Sequence, residues 1–291
     1  MLDSSTYQSS WNPSFFEQGG LFDLFRPWAA WILRHGEAFP SLDEINVLLN
    51  AGDVAPVRSG GGFPLKCVKQ QRVGRAERDL LGWRADYQLR IFLSGEVPTR
   101  PNNWHDFFNA WSWIHFPKTK AAINQRHFNS GEENLTFPWR RSGGNRNREQ
   151  DLLTLFDEGG LIVATADDEL WHAIEQRRWR EVFIERKETL HRQAAFLPIG
   201  HALYECALAR HPRIHASAVR VNMDISGLRN ARGEIDLRLL AKIDEVAALA
   251  LSQRSCYRTP EDLRALPIWG LPGWHPRAGL EEFITDTTYF R

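Results

Sequence analysis

The sequence predicts an α+β fold, mainly helical, with a small mixed or antiparallel sheet containing a hairpin over residues 151–165. Three observations predict it. Segments with helical apolar spacing and capping signals outnumber segments with strand character. The strand segments are scattered, without a regular strand–helix–strand alternation. No repeat of fixed period runs through the chain, which sets solenoids and propellers aside.

The elements follow in order. Pro13 to Leu33 is aromatic-rich and reads as helix broken near Gly19-Gly20 and at Pro27. Ser41-Leu42-Asp43-Glu44 is a capping box opening a short helix through Leu49, stopped by Gly52. Gly60-Gly61-Gly62 is a turn before a strand over Phe63–Lys69. Helix is expected over 86–94, ending at Gly95. A loop at 98–103 lets Asn102 or Asn103 cap a helix over 104–115. Pro117 suits the first turn of the next, over 118–128, and 129–148 reads as a polar loop. Strands over 151–156 and 161–165, around Asp157-Glu158-Gly159-Gly160, form the expected hairpin, with Asp157-Glu158 as plain turn residues. Helices follow at 168–176, 179–186 and 201–209, then a strand at 214–221 and helices at 234–252 and 259–263. An irregular tail, residues 266–291, is expected to wrap the core through Trp269 and Trp274. The whole of 1–291 reads as one domain.

A chain of 291 residues with 43% hydrophobic and 12% aromatic content can bury a large core, and its 12 Trp, spread from Trp11 to Trp274, are core fillers. The 36 basic and 36 acidic residues cancel, which gives no support for nucleic acid as a partner. Locally, Lys118, Lys120, Arg126, Arg140, Arg141, Arg146 and Arg148 outnumber Glu132, Glu133 and Glu149. That segment would meet an anion or form a solvated loop. Cys67, Cys206 and Cys256 lie far apart and fit reduced thiols. With no signal peptide and no membrane-length apolar run, a soluble cytoplasmic protein is expected. GxxxxGK[ST], GxGxxG, GxSxG and HExxH are all missing from the sequence.

Chemistry-bearing side chains concentrate in two expected helices joined at Phe116-Pro117. On the first, Trp104, Phe107, Trp111 and Ile114 form an apolar stripe, with His105, Asp106 and Asn109 beside it. On the second, Lys120, Asn124 and His127 recur at i, i+4 and i+7. Facing one crevice, these would supply a His–Asp general base, and Lys and Asn groups for a carboxylate or phosphate. Alternatively, His105, Asp106 and His127 are candidate ligands of a divalent metal. The structural reading of the same residues is caps and dipole partners at helix ends, or a satisfied buried network. His201, with Glu205 one turn on, is a further candidate at a helix opening after Gly200. Arg148, Asp151 and Thr154 are weaker candidates on the first hairpin strand.

Several blocks together resemble the bacterial family called domain of unknown function 3025. They are Tyr87–Ile91, Gly95–Arg100, Asn103–Ala110, Phe116–Asn124, Asp151–Glu158, Gly200–Leu203, Leu266–Trp274 and Tyr289–Arg291. The blocks come in the family's order, and the resemblance covers nearly the whole chain from about Trp11. Trp111 departs from the smaller aliphatic residue expected there. The resemblance implies one unit spanning the chain and transfers no activity or catalytic residue. The function expected from the residues is a hydrolase for an anionic, phosphoester-like substrate, using His105, Asp106, Asn109, Lys120, Asn124, His127 and His201. The alternative is a non-enzymatic adaptor using its aromatic surface and the basic 117–150 segment.

Overall fold

A computed structural model describes residues 10–50, 56–71, 82–134, 146–229 and 234–291. After 3-10 turns at Phe15–Glu17 and Gly20–Trp28, the chain runs through α1 (Ala29–Leu33), α2 (Leu42–Asn50), β1 (Lys66–Lys69), α3 (Tyr87–Ser94) and β2 (Glu96–Thr99). Then come α4 (Trp104–His115), α5 (Pro117–Asn134), α6 (Arg148–Gly159), β3 (Gly160–Ala164) and α7 (Asp168–Glu175). The remainder is α8 (Leu190–Gln193), β4 (Ala195–Pro198), α9 (His201–Leu208), β5 (His215–Val221), α10 (Leu237–Ser252), β6 (Arg264–Pro267) and α11 (Glu281–Ile284). The expected α+β class is what is found, helices dominating two small sheets.

The chain divides into two units, each assembled from separated segments. The first comprises Met1–Ala38, Glu158–Ile243 and Leu263–Arg291. Its mixed sheet has the order β4-β3-β5-β6, with β3 parallel to β5 and the other two pairings antiparallel. Every residue of β3 is buried, as a short all-apolar central strand must be. Phe22 and Phe25 pack on the Tyr204 ring, whose hydroxyl donates to Pro198 O at 2.7 Å. The C-terminal segment closes over β5: the Tyr289 hydroxyl donates to Ile214 O at 2.7 Å and accepts from Trp269 N at 3.0 Å.

The second unit comprises Phe39–Asp157 and Asp244–Asp262. Here β1 and β2 pair in parallel, and Asn46 of α2 clamps the strand by accepting from Cys67 N and donating to Cys67 O. The Ser41–Glu44 capping box forms reciprocally as expected. The glycine turn packs on α5 so closely that a Cβ at Gly60 would lie 2.5 Å from Gln125 N. Helix α4 is buried almost all round: Phe108 and Trp113 are enclosed along with Trp104, Phe107 and Trp111. The α5 amino terminus receives its cap from far along the chain, where the Asp244 carboxylate accepts from Lys118 N (2.8 Å) and Thr119 N (2.9 Å).

Three expectations need correction. Residues 151–156 are not a hairpin strand but lie in helix α6, and β3 pairs with β4 and β5 instead. The cause is a capping box: Asn147 Oδ1 accepts from Gln150 N, and Gln150 Oε1 accepts from Asn147 N. Leu152, Leu153, Phe156 and Asp157 then share the buried face at helical spacing, and Asp151 and Leu155 face outward. Residues 96–99, partly assigned to a loop, form β2, with Val97 and Thr99 turned inward. The tail is not wholly irregular: it begins in β6, makes a 3-10 turn at Ile268–Gly270 and includes α11. The expected stop at Gly52 and most of the 129–148 loop lie outside the described residues, though α5 extends to Asn134.

Candidate functional site

The elbow at Phe116-Pro117 folds α5 back on α4, and their polar residues meet inside the second unit. Lys120, 2% exposed, is the centre. Its ammonium donates to Asn109 Oδ1 at 2.9 Å, pairs with the Asp157 carboxylate, and lies 5.2 Å from the centre of the Trp113 ring. Asn109 passes the chain onward, its amide nitrogen donating to the Tyr87 hydroxyl at 2.6 Å. The amide orientation is thus fixed from both ends. Tyr87 exposes 38% of its surface elsewhere, yet burial and the Asp157 charge push its hydroxyl well above the usual tyrosine range, so it stays protonated.

His127 lies two turns beyond Lys120 on α5 and is 5% exposed. Its Nε2 is enclosed with no hydrogen-bond partner among the described residues. Burial holds the imidazole neutral, bringing its pKa down to about 4, and the Asp157 charge works in the other direction. A buried imidazole nitrogen with no hydrogen-bond partner among the described residues is an expensive arrangement in a folded protein.

The other expected residues take up different posts. Asp106 is committed to Arg100: Oδ2 accepts from the backbone N (2.5 Å) and Nε (2.9 Å), and Oδ1 accepts from Nη2 (2.9 Å). Its own backbone N–H is taken by the Asn103 cap. His105 is half-buried one turn before Asn109. Asn124 fastens α5 to its neighbours, donating to Gln88 O and Oε1 and accepting from Gly60 N. His201 is buried at the start of α9, in the first unit rather than the second. Among the described residues, no three His, Cys, Asp or Glu side chains gather in a way that would hold a metal ion.

Asp157 and Tyr87 join the cluster without being among the residues expected there. Asp157 is not a turn residue: the Asn147–Gln150 capping signal makes 148–159 helical and puts Asp157 one turn from Leu153. Of the basic segment, Lys118 pairs with Glu245, Lys120 with Asp157, Arg126 with Glu149 and Arg148 with Glu261. Arg140 and Arg141 lie outside the described residues. Asp151 is exposed on α6, and no helix among the described residues is long and apolar enough to cross a membrane.

The family model described as "Protein of unknown function (DUF3025)" matches residues 76–291, about three quarters of the chain. The chain belongs to this family. The matched stretch carries α3 to α6 and with them every member of the Lys120 cluster, though it begins later than Trp11. No curated protein and no solved structure matches the chain.

Proposed function

We propose that this DUF3025 member is a hydrolase in which His127 is the general base, acting on water that attacks an anionic, phosphoester-like substrate. One observation carries the reading: the enclosed Nε2 of a neutral imidazole has no hydrogen-bond partner among the described residues, and the Asp157 charge reaches it. A neutral imidazole accepts a proton from water, and the imidazolium so formed is stabilised by the Asp157 charge. Lys120 holds the Asp157 carboxylate in place and is itself held by Asn109; it is a positioning residue, since Asp157, Asn109 and the Trp113 face already occupy its ammonium. This moves the chemistry away from His105 and Asp106, whose carboxylate serves Arg100. A cytoplasmic setting belongs to the same proposal, supported by three free cysteines.

The test is turnover of p-nitrophenyl phosphate, bis-p-nitrophenyl phosphate and p-nitrophenyl acetate by the wild type and His127→Gln. At least one substrate is hydrolysed, and His127→Gln lowers kcat by about 10²–10⁴-fold with an unchanged circular dichroism spectrum. Equal rates from the two proteins contradict the assignment. The completeness of the Lys120 hydrogen bonding favours a second reading, in which the cluster only fixes the fold. That version predicts a lowered melting temperature in His127→Gln and no activity for it to lose.

A further inference from the structure

We infer that Arg146 is the anion-binding residue of this site, receiving the phosphate-type oxyanion of the substrate beside His127. The inference rests on the His127 reading and supplies the counter-charge that Lys120 cannot. Its position follows from its neighbour. Asn147 is bolted to α5, with Oδ1 accepting from Ser130 Oγ at 3.0 Å and Nδ2 donating to Ser130 O at 3.3 Å. Ser130 is three residues past His127 and therefore on the same face of α5. The residue before Asn147 is thus delivered to the end of α5 that carries the orphaned imidazole.

Pairing separates Arg146 from the other described basic residues of its segment. Lys118, Lys120, Arg126 and Arg148 each meet a carboxylate, whereas Arg146 is exposed and makes no ion pair among the described residues. The carboxylates of Asp86 and Glu149 are otherwise engaged. Asp86 caps α3 by accepting from Leu89 N at 3.0 Å, and Glu149 is held by Arg126 and Arg254. The Arg146 charge reaches both Asp86 and His127. A guanidinium offers a planar pair of N–H donors that matches two oxygens of a phosphate.

The test is isothermal titration of the full chain with inorganic phosphate at low ionic strength, using wild type, Arg146→Gln, Arg148→Gln and His127→Gln. Phosphate binds the wild type, and Arg146→Gln weakens binding by about tenfold or more. Arg148→Gln, which removes an equal charge already paired with Glu261, leaves the affinity within about twofold. No binding to the wild type overturns the inference, as does equal weakening by both arginine variants or an unchanged Arg146→Gln. The His127 variant separates the two proposals. If it keeps phosphate affinity and hydrolytic rate, the base assignment falls and the anion site stands; if it loses rate alone and Arg146→Gln binds normally, the reverse holds.

Discussion

A lysine ammonium and a carboxylate buried together are held by each other more than by anything else around them. Taking either charge out of water costs several kcal/mol, and mutual attraction offsets this only while both partners are present. Lys120→Met and Asp157→Asn are therefore each expected to lower the unfolding free energy by about 3–5 kcal/mol in urea titrations. The double variant Lys120→Met/Asp157→Leu should recover most of that loss, because no charge is left stranded. Single variants within about 1 kcal/mol of wild type would show that water reaches the pair. At this scale the sequence was informative where spacing alone decides. Asn109 and Lys120 sit on the polar sides of two helices joined by an evident Phe-Pro elbow, and they do meet. Asp106 and Asn124 had the right chemistry and spacing but other partners, Arg100 and Gln88, and no local pattern distinguishes a carboxylate that serves a neighbouring loop from one that serves a site.

Secondary structure was legible where a start signal and an apolar period agree. Ser41–Glu44, Asp86 and Asn103 all cap the helices they were expected to open. The failure at 151–156 has a specific cause, since Leu152, Leu153, Leu155 and Phe156 satisfy a buried strand and a helix face alike. Gly159-Gly160 then acts as a helix stop rather than a turn. Strand β2 was hidden by Pro98, which is tolerated because β2 hydrogen-bonds through β1 at a sheet only two strands wide. The Asp244 cap on α5 comes from 125 residues away and leaves no local trace. The glycine turn yields a prediction at this scale. Gly60→Ala forces its new carbon against the backbone of α5 at Gln125 and Ala121, so the turn must lift off the helix and loosen the Asn124 bond. A loss of about 1–3 kcal/mol is expected by thermal or urea unfolding, and an unchanged midpoint would contradict the close packing.

At the scale of the whole molecule, each unit is built from segments far apart in sequence, which explains why no linker or change of composition announced two units. Along the chain the division falls within α6, after Asp157, and within α10, after Ile243. One property of the entire chain follows from its buried neutral histidines. Burial holds His127 down to a pKa of about 4 and His115 to about 3, against an ordinary value near 6.5. Below that ordinary value the unfolded chain takes up protons that the folded chain refuses, so stability is fully present above about pH 6.5 and is lost as the pH falls towards 4 and 3. Between about pH 7.5 and pH 5 each histidine should cost the fold about 2 kcal/mol in urea unfolding. The loss should shrink in His127→Gln and in His115→Gln; an equal loss in both variants and wild type would assign the effect elsewhere. The central claim, that His127 is an enclosed imidazole held neutral by burial, can be tested without knowing the substrate. The measurement is a pH titration of the His127 ring nitrogens by NMR on histidine-labelled protein, assigned with His127→Gln. The account predicts a neutral ring at pH 7 that gains its proton only near pH 4; titration near the ordinary 6.5 would mean an open, solvated imidazole and would contradict it.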